Sequence, residues 1–355
     1  MNLHDLRKKI DEIDNRIVEL ISERIRIAEE IGQDKKEKNR LIEDRERELR
    51  VLEHVRNLAR DNKTSPGDIA DIYRQIIDAS KKIQSVDVAF QGEPGAYTEE
   101  AAHRFFGKLT EGHPYNTLDE VFEAVEKGDV PYAAVPVENS LEGSITRAYD
   151  LLLDSPLMIC GEMEMRISHC LIGSAGAGLD SIKKVYSHPQ ALGQCRSFLS
   201  HLNAELIPES DTAGSVRMIK EQNLIDSAAV ASARAAEIYG MKIIATEIED
   251  NPHNFTRFFI LSKDDAPPTG NDKTSIVFSL KHKPGALYDC LKEFSASDIN
   301  LTKLESRPTR HQPWEYNFYM DISGHHEDDN VRDALKKLDE LSIFVKVLGS
   351  YPRAK

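Results

Sequence analysis

The chain has 355 residues, 40% of them hydrophobic, and 46 basic against 60 acidic residues leave a formal charge of −14. That length exceeds one ordinary domain and predicts two or three, each with its own core. Residues 1–85 balance at 19 basic and 19 acidic, so the excess acid lies downstream and argues against a nucleic-acid-binding surface there. No apolar run approaches the ~20 residues of a membrane span. Cys160, Cys170, Cys195 and Cys290 stand far apart without a C-x-x-C pair. The N-terminus passes straight into an amphipathic pattern with no signal-peptide features, which predicts a cytoplasmic chain with reduced thiols. The His325-His326-Glu327-Asp328-Asp329 cluster lacks zinc-ligand spacing and reads as an acidic solvated turn, so no metal is expected.

Residues 1–85 read as all-helical. Leu3, Leu6, Ile10, Ile13, Ile17, Leu20, Arg24, Ile27 and Ile31 step alternately by three and four, the seam of a helix packed on helices, and predict a first helix that ends at Gly32. A charged loop over 34–40, a second helix over 44–59 and a third opened by Ser65-Pro66-Gly67-Asp68 follow. Three such helices do not easily close a core alone, so a homo-oligomer, at least a dimer, is expected. Arg24 interrupts the aliphatic seam, and a buried guanidinium requires an anion, either a carboxylate of the chain or a ligand. Asp44, Glu48, Leu52 and Val55 share one stripe of the second helix; Ile69, Tyr73 and Ile76 continue to Ser80 and Gln84 on the third. A pocket offering Arg24, Lys35, Arg47, Glu48, Ser80 and Gln84 suits a compact ligand with carboxylates and hydroxyls. An internal salt-bridge network among Arg24, Asp44, Arg47 and Glu48 would leave the same pattern. Arg7 and Arg24 lie ~25 Å apart along one helix, so a small ligand that meets both must be shared by two protomers.

Leu6-Arg7-Lys8-Lys9-Ile10, Glu23-Arg24, 32–35, 44–48 and 78–84 together resemble the all-helical chorismate mutases. The resemblance implies an intertwined dimer in which Arg7 of one subunit joins Arg24 and Arg47 of the other around the substrate carboxylates. Lys35 and Gln84 would bond the ether oxygen, and Asp44 and Glu48 would orient the ring hydroxyl, with Ser80 nearby. A Claisen rearrangement needs no nucleophile, metal or proton shuttle; it needs the reactive conformer and charge stabilisation.

From residue 86 short apolar strands alternate with helices, at 86–90, 132–137, 184–187, 228–231, 243–247 and 257–261, which predicts α/β layers with parallel strands. Several strands end in a small or hydroxyl residue and open a helix: Gly92 to Thr98, Glu138-Asn139-Ser140, Ser187-His188-Pro189-Gln190 and Asp211-Thr212-Ala213-Gly214-Ser215. Helix N-termini gathered there would form an anion-binding cleft, although each alone is also an ordinary cap. In Asn254-Phe255-Thr256-Arg257-Phe258 a hydroxyl and a cation stand among aromatic rings. These motifs, with Gln194-Cys195, resemble prephenate dehydratase across 86–263. The resemblance implies two lobes like a periplasmic binding protein. Thr256 would assist the departing hydroxide, Arg257 would meet a carboxylate, and Glu138, Asn139, Ser187 and Gln194 would bind substrate.

The polar stretch 263–272, with Pro267-Pro268 and Gly270, reads as a linker. Beyond it the order strand 275–280, helix 285–296, strands 301–306 and 316–322, helix 331–341 and strand 344–350 is ferredoxin-like, βαββαβ. Lys283-Pro284-Gly285-Ala286-Leu287 and Glu305-Ser306-Arg307-Pro308 resemble the ACT regulatory domain of prephenate dehydratases, implying phenylalanine bound at an inter-subunit interface by Gly285, Ala286, Leu287, Glu305, Ser306 and Arg307. Domains are therefore expected at 1–85, 86–263 and 273–355, with a linker at 264–272. The combined resemblance is to a cofactor-free bifunctional chorismate mutase and prephenate dehydratase under phenylalanine feedback. Two alternatives keep only part of this: a dehydratase with a non-catalytic helical dimerisation domain, or a non-catalytic amino-acid sensor.

Overall fold

The computed structural model describes the backbone of residues 3–37, 45–107, 110–309 and 315–354, and within these the side chains of all but 29–37, 45–49, 78–79 and 81–84. Two compact units are present, one comprising 1–86 with 106–111 and the other the remainder.

In the first unit α1 (Leu3–Glu37) runs for 35 residues and continues through Gly32, where the sequence predicts an end. One interior glycine costs only about 1 kcal/mol, and the helix formers Gln33, Lys35, Lys36 and Glu37 follow it. α2 (Arg45–Asp61) and α3 (Pro66–Gln84) meet at a turn in which the Thr64 hydroxyl donates to Ala59 O at 3.1 Å. Ser65 Oγ accepts the Asp68 N–H, which makes it the cap that the Ser-Pro-Gly-Asp segment predicts. Val55, Ala59, Ala70 and Ile77 are buried between the helices. At 1.5 Å per residue α1 is about 52 Å long, roughly twice the length of α2 or α3, so much of its seam has no cover within one chain. Leu3, Ile10 and Leu20 are 64%, 56% and 62% exposed, and Leu6, Ile13, Ile17 and Ile27 are exposed as well.

The second unit contains three sheets. β1 (Val86–Gln91), α4 (Tyr97–Phe106), β2 (Thr110–Tyr115), α5 (Leu118–Lys127), β3 (Tyr132–Asn139), β4 (Gly143–Ser144), α6 (Thr146–Asp154) and β5 (Met158–Arg166) build most of the first lobe. The chain then crosses to β6 (Cys170–Gly173), β7 (Lys184–Ser187), α7 (Pro189–Gln194), α8 (Arg196–Leu199), β8 (Glu205–Pro208), α9 (Thr212–Glu221), β9 (Ser227–Ala231), α10 (Ala233–Tyr239) and β10 (Lys242–Ala245). It returns as β11 (Phe255–Ser262), which inserts between β3 and β5 in the sheet order β2-β1-β3-β11-β5, with β4 on β3. The second lobe is ordered β10-β6-β9-β7-β8. The expectation of parallel strands holds only in part. β1 and β3 are parallel, as are β7 with β8 and β9, but β11 is antiparallel to both neighbours and β6 is antiparallel to β9 and β10. A strand that returns from the other lobe enters the sheet from the opposite end, which reverses its direction.

β12 (Asp272–Leu280), α11 (Ala286–Ala296), β13 (Leu301–Pro308), β14 (Tyr316–Ser323), α12 (Asp329–Leu341) and β15 (Ser342–Pro352) form the antiparallel sheet β13-β14-β12-β15, the βαββαβ order read from the sequence. Ile276, Phe278, Met320 and Ile322 on one face pack with Cys290, Phe294, Ala334 and Leu338 of the two helices. The opposite face shares a core with the first lobe: Val277, Tyr319, Leu348 and Tyr351 join Val135, Leu152, Ile159 and Phe259. At Gly349, where φ is 148°, a Cβ would stand 2.2 Å from Ile159 O, so β15 lies backbone-to-backbone against β5. The linker is pinned. Asp272 accepts hydrogen bonds from the Thr269 and Gly270 amides, and Asp265 accepts one from the Ser350 amide.

The histidine cluster differs from the solvated turn expected of it. His325 is buried, its Nδ1 accepts the Glu327 N–H and its Nε2 donates to Ala266 O at 3.0 Å, while His326 pairs with Asp265 and Ser350. Both ring nitrogens of His325 and Nδ1 of His326 are thus engaged by protein groups. The four cysteines are free, three of them buried. Among the described residues no helix is long and apolar enough to cross a membrane.

Candidate active sites

The two lobes of the second unit are joined by crossings at 167–169 and 246–254, and between the lobes lies a cleft of about 360 Å3. The first lobe lines it with Tyr97, Pro136, Asn139, Ser144, Thr256 and Phe258, and the second with His188, Gln190, Gln194, Asp211 and Thr212. α4 and α9 both begin at the cleft, with Tyr97 and Thr98 in one first turn and Thr212 in the other. Two helix N-termini therefore direct their positive ends at one space, an arrangement that favours an anion.

A chain of side-chain amides fixes which hydrogens point into this space. Asn139 Oδ1 accepts the backbone N–H groups of Leu141 (3.0 Å) and Glu142 (3.1 Å), so its orientation follows from two unambiguous donors. Its Nδ2 must then face acceptors: Asn254 Oδ1 at 2.7 Å and Thr256 Oγ1 at 3.0 Å. The Asn254 amide in turn donates to Gln194 Oε1 at 3.0 Å. That oxygen also lies 3.0 Å from His169 Nε2, which must carry the proton, and His169 Nδ1 lies 2.8 Å from the Tyr97 hydroxyl, whose single hydrogen also faces Ser168 O at 2.8 Å. Burial lowers the His169 pKa below its usual value, consistent with a neutral ring, and raises that of Tyr97. Thr256 Oγ1 is thus an acceptor toward Asn139, which leaves its own hydrogen for the cleft, and the Gln194 amide hydrogens are left there too.

Of the dehydratase residues named from the sequence, the structure brings Asn139, Gln194 and Thr256 together. Three others it places elsewhere. Side chains alternate along a strand, so Arg257 faces away from Thr256 and the cleft. Its guanidinium meets Glu162 at 2.7 Å, Asp321 and the Tyr351 hydroxyl, and although burial opposes its charge, Tyr351, Asp321 and Glu162 raise its pKa overall. Lys273 joins this cluster at 2.8 Å from Glu162. Glu138, beside Asn139, likewise faces the C-terminal sheet and meets Lys303 at 2.7 Å. Ser187 is wholly buried and donates to Val230 O at 2.6 Å. His169 stands in no motif and could not be found by pattern. Tyr97 and Asn254 lie in segments whose composition is unusual, but only the fold shows that they act as a relay.

In the helical unit Arg24 Nη1 donates to Ser80 Oγ at 2.7 Å, and Ser80 donates to Ile76 O. The arginine of α1 and the buried hydroxyl of α3 therefore meet. Arg7 is exposed. Asp44 and the side chains of Lys35, Arg47, Glu48 and Gln84 lie outside the described residues.

In the C-terminal sheet Gly285 caps α11 with φ of 82° and is exposed, as is Ser306. Ala286 and Leu287 are half-buried in the first turn of that helix. Glu305 and Arg307 are half-buried on the sheet face opposite α11 and α12. The residues expected to hold an effector thus divide between two faces of one chain.

Residues 6–85 match the family chorismate mutase type II, residues 88–266 match prephenate dehydratase and residues 274–340 match the ACT domain. The class is that of multidomain enzymes that join an isomerase and a lyase to a regulatory module. The chain is 39% identical over 363 residues to the bifunctional chorismate mutase/prephenate dehydratase of Stutzerimonas stutzeri, covering 99% of this chain and 98% of that one. It is 41% identical over 361 residues to the protein of the same description from Aquifex aeolicus, with the same coverage. A solved structure of prephenate dehydratase in complex with L-Phe from Arthrobacter aurescens superposes with a TM-score of 0.70 at 34% identity, over 76% of this chain and 90% of that one. The chain belongs to the family of bifunctional chorismate mutase/prephenate dehydratases.

Proposed function

We propose that the protein converts chorismate to prephenate in its helical domain and prephenate to phenylpyruvate in its cleft, under feedback by phenylalanine at the C-terminal sheet. The observation that carries the dehydratase reading is the 3.0 Å contact from Asn139 Nδ2 to Thr256 Oγ1, which leaves the Thr256 hydrogen for the cleft. As the ring carboxylate leaves as carbon dioxide, the electron pair of its C–C bond completes the aromatic ring while the ring hydroxyl departs. A proton must convert that hydroxide to water. The Thr256 hydroxyl, held as an acceptor on the Asn139 side, donates a hydrogen bond to the leaving oxygen, which takes its proton from solvent, and Gln194 positions substrate. The N-termini of α4 and α9 favour the substrate carboxylates.

For the mutase, the Arg24–Ser80 contact supports a polar pocket in the helical core, with Arg7, Lys35, Asp44, Arg47, Glu48 and Gln84 as further members. The exposed aliphatic seam of α1 supports a homodimer in which Arg7 of one protomer serves the other's site. Domain limits of 1–85, 86–263 and 273–355, effector contacts at Gly285, Ala286, Leu287, Glu305, Ser306 and Arg307, and a cytoplasmic setting complete the reading.

One assay tests it. Purified protein is given chorismate, and chorismate, prephenate and phenylpyruvate are followed with and without phenylalanine. No chorismate loss removes the mutase; prephenate without phenylpyruvate removes the dehydratase; indifference to phenylalanine removes the feedback. Mixing Arg7→Ala with Arg24→Ala subunits should restore one working mutase site per heterodimer, and failure despite proven subunit exchange rejects the shared site.

A further inference from the structure

Lys303 belongs to β13 of the C-terminal sheet, yet its ammonium is spent on the dehydratase lobe. An ammonium has three N–H donors. Lys303 Nζ reaches three acceptors there: Glu138 Oε2 at 2.7 Å, the Tyr149 hydroxyl at 2.8 Å and Ser144 Oγ at 3.2 Å. The side chain is 12% exposed and the charge lies 4.8 Å from the centroid of the Tyr149 ring. Two residues along the strand, Glu305 accepts the Ser144 hydroxyl. Glu138 and Ser144 are opposite one another where β3 pairs with β4, and the only other pair of that ladder is Asn139 with Gly143. Lys303 therefore grips one rung of a two-rung clip, and the other rung holds the asparagine that directs the Thr256 hydroxyl. Ser144 also lines the cleft.

We propose that Lys303 is a positioning residue of the dehydratase site, supplied by the C-terminal sheet: by holding Glu138 and Ser144 it sets the register of Asn139 and hence the aim of Thr256. The inference rests on reading the cleft as the dehydratase site. β13 also carries Glu305 and Arg307, so the strand assigned to the effector is in direct contact with the clip.

The test uses the full-length protein and added prephenate. Lys303→Met should lower kcat for phenylpyruvate formation about ten-fold with KM changed less than three-fold, while chorismate consumption stays at the wild-type rate. Ser144→Ala should lower kcat as well, and the double variant should fall no further than the worse single one, because both act through one clip. A kcat for Lys303→Met within two-fold of wild type, or losses that multiply in the double variant, overturns the proposal. Should Lys303→Met fail to fold, Glu138→Gln weakens the same grip at constant size, and an unchanged kcat there overturns it equally. Thr256→Ala run alongside separates the two levels. If that variant still dehydrates prephenate the reading of the cleft fails, whereas an inactive Thr256→Ala beside a normal Lys303→Met rejects only the role of Lys303.

Discussion

The Asn139 side-chain amide donates to the Thr256 hydroxyl over 3.0 Å, and the direction of that bond is set by two backbone N–H groups on the far side of the asparagine. Asn139→Asp replaces the donor with an acceptor at nearly constant shape. Thr256 then turns its hydrogen toward the carboxylate and away from the cleft, and kcat for phenylpyruvate should fall on the order of a hundred-fold, the scale of losing one preorganised donor. Steady-state kinetics with prephenate checks this, with chorismate consumption as the internal standard. A variant within three-fold of wild type contradicts the assigned polarity.

The relay also has a pH dependence. Burial holds the His169 pKa below the ordinary histidine value of ~6.5, so the neutral ring stabilises the fold at pH above that value and the contribution is lost as pH falls through the depressed one. Protonation at Nδ1 leaves Ser168 O as the acceptor for the Tyr97 hydrogen and turns the ring into a donor toward the Tyr97 oxygen. The acid limb of kcat/KM for prephenate should therefore have a midpoint below 6.5, and His169→Phe should abolish it. An acid limb that persists unchanged in the variant assigns it to another group.

Arg257 gives a prediction that separates two roles. As a substrate-carboxylate partner it would raise KM when shortened; as the hub between Glu162 and Asp321 it acts on stability. Arg257→Ala leaves Glu162, with no side-chain exposure, with Lys273 and the Ala354 amide as its remaining partners and deprives Asp321 of its cation. Breaking such a pair costs about 3 kcal/mol or more. A lowered Tm with an unchanged KM in the surviving folded protein is the expected pair of results, and a KM increase at wild-type Tm would return Arg257 to the cleft.

At Gly349 the constraint is purely steric. Gly349→Ala sets a methyl 2.2 Å from Ile159 O, so β15 must move off β5. Thermal melting should show destabilisation of about 1–3 kcal/mol, and a Tm equal to wild type would mean that the two strands do not press together as described.

The helical pattern, the βαββαβ order and the cleft residues of the Asn139 and Thr256 segments are legible in the sequence because each is a local matter of period, turn chemistry or composition. The direction of β11 is not, since a strand records its faces but not its neighbours. β5 passes unnoticed for a related reason: Met158–Arg166 mixes methionines, glutamates and a glycine because one stretch serves the sheet and the C-terminal docking surface at once. Arg257 and Glu138 mislead in a third way. Each adjoins a residue of the cleft, and a strand turns adjacent side chains to opposite sides. His169 carries no local signal at all, because its importance lies in Gln194 and Tyr97, 25 and 72 residues away.

The overhang of α1 bears on how the two activities respond to concentration. The cleft is assembled from one chain, whereas a mutase pocket that borrows Arg7 exists only in an assembled pair. In the proposed homodimer mass action then separates them: on dilution through its dissociation constant, chorismate turnover per chain should fade while prephenate turnover per chain holds steady. A cell that makes little of this enzyme would thus possess the second step of the sequence before it possessed the first.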